Sequence, residues 1–139
     1  MTRDDPTPLV ERLYPALAAG DRATLAELLH PEFDGYFSPG LPAPIGGHHS
    51  GAADCIEHGW WAIGATWALR AEPERWSLCG DARLLVQGSY RGTARRTGRG
   101  VHAPFAHLWA AEGGRLRSLH QYTDTALWLA ALEDDRDRR

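Results

Sequence analysis

The apolar positions change period once along the chain, from helical spacing in the first half to alternation in the second. Leu9, Leu13 and Leu17 recur every four residues, and Leu25, Leu28 and Leu29 cluster in a second short segment. This spacing puts each set on one helical face. Thr7-Pro8 reads as an N-cap followed by proline at the first helical position, where a missing N–H costs nothing. Pro15 is predicted to kink or break that helix. Gly20-Asp21 ends it and caps the second, which His30-Pro31 stops. Phe33 to Phe37 reads as a short strand, and Ser38 to Gly47, rich in Pro and Gly, as a loop. From Ala52 a third helix carries Ile56, Trp60, Ile63 and Trp67 in one stripe, despite Gly59 and Gly64.

Beyond it the period is two. Strand-like runs cover Ala68–Leu78, Ala82–Ala94, Val101–Ala111 and Leu116–Thr125. The last three read as consecutive antiparallel strands. Gly92–Gly100 turns one hairpin and Glu112-Gly113-Gly114-Arg115 the next, since a tight turn needs the positive φ that Gly adopts readily. An apolar tail, Ala126–Leu132, precedes a charged terminus, Glu133–Arg139, expected to be disordered. Helices followed by a meander of strands predict an α+β fold with helices on one face of a curved antiparallel sheet.

Composition narrows the chemistry. The 139 residues, 43% hydrophobic, suffice for one domain and one core. No run nears the ~18 apolar residues of a membrane span, and the polar start MTRDDPTP lacks the apolar core of a secretion signal. Cys55 and Cys79 read as reduced thiols in a cytoplasmic protein. All fifteen basic residues are Arg. Without Lys, Schiff-base and pyridoxal chemistry and the phosphate-loop lysine are excluded. A net charge of −3 argues against a nucleic-acid binder. The Arg/Gly-rich hairpin reads as an ordinary charged turn. Gly47-His-His-Ser-Gly51 misses the spacing of a nucleophile elbow, and adjacent His48 and His49 point apart, so no metal is expected there. No cofactor fingerprint is present.

The candidate chemistry lies on the late strands. Leu116, Ser118, His120, Tyr122 and Asp124 share one sheet face by alternation. Asp124 is either a general base at an apolar pocket wall or the N-cap of a C-terminal helix beginning Thr-Ala-Leu. His107 shares a face with Phe105 and Trp109. It is either a hydrogen-bonded core residue or a donor and proton shuttle for a substrate oxygen. His102 belongs to the opposite face unless a bulge at Pro104 turns it inward. Tyr90, which alternates with Val86 and Gly88, and Tyr122, beside Asp124, are either wall aromatics or phenolic donors. Trp60, Trp61 and Tyr36 are candidates to shape a cavity, although the stripe makes Trp60 ordinary core.

Three segments carry a family resemblance: LYPALAAGDRATLAELLHPEF (Leu13–Phe33), YRGTARRTGRG, and PFAHLWAAEGGRLRSLHQYTDTALWLAAL. Together they resemble the SnoaL-like polyketide cyclases of the nuclear transport factor 2-like and ketosteroid-isomerase-like superfamily, across roughly Leu9 to Leu132. The resemblance implies a cone-shaped α+β barrel, a cavity between sheet and helices, and a homodimer. Asp124 falls where these cyclases hold a catalytic aspartate, and His107 where they hold a pocket histidine. The steroid-isomerase base would fall at Ser38-Pro39-Gly40, and its tyrosine near Leu13, with Tyr14 one residue out of step. The limonene-epoxide-hydrolase branch uses an Asn, and this chain has none.

The implied function is a cofactor-free cyclase or isomerase of an aromatic polyketide-like secondary metabolite. Asp124, His107, His102 and Tyr90 would be catalytic, with Tyr122, Trp61, Tyr36, Phe105 and Trp109 binding an apolar substrate. The reading from another class is a non-catalytic small-molecule-binding or dimerisation module of the same fold.

Overall fold

The structure, a computed structural model, describes residues 5–134. Helix α1 (Thr7–Ala19) has Pro6 at its N-cap, one residue earlier than the sequence suggests. It continues through Pro15, so the proline does not break it. Proline deprives the Glu11 carbonyl of its donor, but both residues are exposed, where water can substitute. Gly20 ends α1 in the left-handed conformation (φ 66°). Asp21 then caps α2 (Arg22–Leu28) by accepting from the Thr24 N–H at 3.1 Å.

Strand β1 (Leu29–Phe37) starts four residues before the expected strand, taking in His30-Pro31. His48 and His49 lie not in a loop but on strand β2 (Gly47–Ser50), antiparallel to β1. The expected third helix is three pieces: α3 (Ala52–Asp54), a π-helical turn over Cys55–Trp60, and α4 (Trp61–Thr66). Trp67 is not its last turn but the first residue of β3 (Trp67–Leu78). β4 (Arg83–Ala94), β5 (Gly100–Glu112) and β6 (Arg115–Thr123) follow the predicted runs closely. Gly113 and Gly114 turn the last hairpin with φ of 61° and 80°. The apolar tail forms α5 (Thr125–Ala130). Part of the predicted charged tail, residues 135–139, lies outside the described residues.

The six strands form one curved, unclosed sheet in the order β2-β1-β6-β5-β4-β3. It is antiparallel except where β1 runs parallel to β6, a long-range pairing that local alternation cannot reveal. α1 and α2 bury Val10, Leu13, Leu25 and Leu28 in the same core as Phe33, Val86, Leu116 and Leu119 of the sheet. Each such side chain contributes about 1.5–3 kcal/mol through burial. Trp128 anchors α5: it sits edge-to-face on Trp67 at 5.2 Å, and its carbonyl accepts the Trp67 indole N–H. Among the described residues no helix is long and apolar enough to cross a membrane.

Candidate active site

A cavity of about 830 Å³ opens between the helices and β3, β4 and β5. Its wall includes Trp60, Trp61, Trp67 and Trp109, with Leu17, Ile63 and Leu69 among the aliphatic residues. Tyr14, Tyr90 and His107 are the polar groups on the inner surface. Arg70 and Arg91, also at the edge, start by alternation from the outer face, where Arg91 pairs with Glu72 at 2.8 Å. Arg95 is tied to α4 by donating from Nε to the Gly64 carbonyl. No carboxylate is among the wall residues described.

Pairing register explains why the polar groups converge. Val86 and Gln121 flank His107 on the adjacent strands, and Tyr90 follows Val86 by two inward positions. Tyr14 comes from the buried side of α1. The His107 ring is 4% exposed, with Nδ1 2.8 Å from the Tyr14 hydroxyl and Nε2 2.6 Å from the Tyr90 hydroxyl. The Trp109 indole N–H donates to the Tyr14 oxygen at 3.3 Å, and the Gln121 amide donates to the Tyr90 oxygen at 2.9 Å. Gln121 is itself oriented, because its Oε1 accepts the Ser38 backbone N–H at 3.1 Å. Phe105 stacks on the imidazole at 4.0 Å.

Burial governs the ionisation of this cluster. It pushes the His107 pKa down to about 3, so the ring is neutral near pH 7. It also raises both tyrosines well above the usual phenol range, against the lowering effect of the hydrogen bonds from Trp109 and Gln121. At neutral pH the cluster is therefore an uncharged set of donors and acceptors beside an apolar space. Such an array can polarise a carbonyl or share a proton with a bound molecule.

The structure brings together His107, Tyr90, Trp109 and Trp61 at this cavity, with Phe105 behind the histidine. It separates the others. Asp124 takes the second of its two expected places: it is exposed at the N-cap position of α5, its side chain making no capping hydrogen bond, and it is absent from the cavity wall, which corrects the general-base reading. The face carrying Leu116, Ser118, His120 and Tyr122 was read as one surface, but a register shift near Ala110 and Ala111 breaks its alternation after Leu116. His120 and Tyr122 then pair with Leu108 and Ala106 on the outer side. Tyr122 is 58% exposed, and Tyr36 stacks between His48 and His120 on that same outer side. Neither can contact a molecule in the cavity. His102 is exposed too, because β5 runs regularly through Pro104 without the bulge that would have turned it. It borders a separate 310 Å³ hollow with Arg99 and Leu127.

Two partners are not among the expected site residues. Tyr14, which the resemblance sets one residue out of step with the isomerase tyrosine, shares the Val10, Leu13, Leu17 side of α1, a placement that helical spacing indicates. Gln121 alternates out of phase with Asp124, and the choice of that face hid it.

The family described as SnoaL-like domain matches residues 10–119. A nuclear transport factor 2-like protein of unknown function from Burkholderia pseudomallei K96243 superposes with a TM-score of 0.83 at 25% identity, over 96% of this chain and 100% of that one. A protein described as a SnoaL-like polyketide cyclase, from Jannaschia sp. CCS1, gives 0.77 at 19% identity over 93% and 92%. TerC, co-crystallised with polyporic acid, gives 0.78 at 22% over 91% and 99%. No curated protein matches the sequence. With a cone-like sheet under its helices and a family match over most of its length, the chain belongs to the SnoaL-like family of the nuclear transport factor 2-like superfamily.

Proposed function

We propose that the protein is a cofactor-independent cyclase or isomerase acting on an aromatic, polyketide-like metabolite. One observation carries this reading: a neutral Tyr14–His107–Tyr90 network borders an 830 Å³ cavity whose wall includes four tryptophans. A planar, apolar substrate fits against indole faces. Its carbonyl or enol oxygen would meet the tyrosine hydroxyls. Buried, pre-oriented donors stabilise negative charge developing on that oxygen more strongly than water does. The cavity holds the two reacting atoms of a flexible chain together, which lowers the barrier by several kcal/mol. TerC, of the same fold, was co-crystallised with polyporic acid, which supports a small organic ligand for this chain. Asp124 has no part in the reading, because it does not reach the cavity.

The test is turnover of a synthetic enolisable aromatic polyketone, followed by mass spectrometry. Tyr90→Phe is expected to lose ~10²-fold or more in rate while keeping the fold. Undiminished turnover by that variant would discard the assignment.

The absence of a carboxylate among the described wall residues favours a second reading, a binding module without turnover. It predicts that the polyketone is bound and recovered unchanged. The proposal also includes a homodimer, supported by the exposed Tyr36 and Tyr122 on the outer sheet face. Sedimentation should then give twice the monomer mass, and Tyr122→Glu should halve it.

A further inference from the structure

The hydrogens in the buried network can be counted. The Tyr14 oxygen accepts from Trp109, whose indole N–H can only donate. The Tyr90 oxygen accepts from Gln121, whose amide orientation is fixed by the Ser38 N–H at its other end. Two links remain, Tyr14 to Nδ1 and Tyr90 to Nε2. A neutral imidazole brings one hydrogen and each phenol brings one. Three hydrogens therefore serve two links, and one tyrosine hydroxyl hydrogen is always left over. It belongs to whichever tyrosine accepts from the ring N–H.

We assign that tyrosine from the shorter of the two links. At 2.6 Å the Tyr90 link has the length of an O–H donor, shorter than N–H donors make. Tyr90 then donates to Nε2, the ring hydrogen sits on Nδ1 and points at Tyr14, and Tyr14 keeps the spare hydrogen. Neither hydroxyl has another partner among the described residues, and both tyrosines border the cavity.

Resting on the proposed function above, the geometry points to His107 as a tautomeric relay that takes a proton from substrate at Tyr90 and delivers one to a substrate oxygen from Tyr14. Each step balances. A substrate proton moves to the Tyr90 oxygen as the Tyr90 hydrogen moves to Nε2. The Nδ1 hydrogen passes to the Tyr14 oxygen as the spare Tyr14 hydrogen passes to the substrate. Both phenols end intact, the imidazole ends as the Nε2–H tautomer, and no net charge forms in the apolar wall. After product leaves, water gives a proton to Tyr14 and takes one from Tyr90, which restores the Nδ1–H form with no net gain of protons. The matching substrate class is a neutral enolisable ketone or quinol, with an acidic hydrogen and an acceptor oxygen both within reach.

Two measurements test this. In ligand-free protein with ¹⁵N-labelled histidine, long-range ¹H–¹⁵N spectra should show His107 neutral with its hydrogen on Nδ1. An imidazolium at pH 6, or a resting Nε2–H form, overturns the relay. The second uses 2-tetralone in deuterium oxide and follows exchange of its C1 hydrogens. Wild type should accelerate exchange with a rate flat between about pH 5 and 9, where neither phenol nor imidazole titrates. Tyr14→Phe and Tyr90→Phe should each lose ~10-fold or more, and the double variant no more than the worse single one, because the two act as a unit. Multiplicative losses, or exchange that climbs with pH, overturn the relay. Nδ1–H histidine with no tetralone exchange by wild type would instead count against the proposed function, leaving the resting network in place.

Discussion

His107 depends on its neighbours for the position of every hydrogen it shares, so the residues one contact away matter as much as the ring itself. Gln121 is the clearest case. Its side chain links the Ser38 backbone N–H to the Tyr90 hydroxyl, and all three groups are buried. Gln121→Leu leaves the Ser38 N–H without its acceptor and Tyr90 without its donor. A buried donor stripped of its partner costs about 1–3 kcal/mol. Urea denaturation should show a loss of that size, and an unchanged midpoint would mean that Ser38 finds another acceptor. Gln121→Glu keeps the acceptor for Ser38 but places a carboxylate against a phenol oxygen, so it should lower activity more than its stability loss explains.

At the scale of elements, the cavity depends on how closely β3 and β4 approach. A Cβ at Gly92 would lie 1.9 Å from the Ala68 carbonyl oxygen, inside the backbone of the neighbouring strand. Gly92→Ala should therefore part the strands at the cavity mouth and destabilise the fold by about 1–3 kcal/mol, read as a lower Tm. Asp21 offers a milder test. Asp21→Ala removes the cap of α2 and should cost about 1 kcal/mol without altering the cavity, since the second helix contributes nothing to its wall. The last four strands were the most legible elements, because alternation and Gly-Gly turns are local signals. The break between the third helix and β3 was not. Trp67 fits a helical stripe by spacing, yet its indole donates to the Trp128 carbonyl 61 residues later, and that contact decides its place.

The whole molecule couples the buried network to stability through pH. Folding holds His107 neutral, with its pKa pushed down to about 3 by burial. The unfolded chain binds that proton near pH 6.5, so it binds more protons than the folded state below this value. Stability from this group is complete above about pH 6.5 and is lost progressively as pH falls toward 3. Tyr14 and Tyr90 act with the opposite sign: burial raises both, so their contribution is present below about pH 10 and lost above it. Tm measured against pH should show a plateau between those limits. His107→Gln should flatten the acid slope, and an identical acid slope in that variant would remove His107 as its source.

By itself the sequence determined the helices-then-meander order, the last four strands, the family and the inward placement of His107, Tyr90 and Trp109. Each follows from periodicity, turn residues or short motifs, which need no distant partner to be read. Only the tertiary structure decided which residues complete the site. One register shift between β5 and β6 puts Gln121 inside and leaves Asp124 outside. Packing of α1 on the sheet brings Tyr14 to a histidine 93 residues away. Side-chain alternation has a period of two, so a slip of one residue exchanges the faces, and that slip is set by long-range pairing.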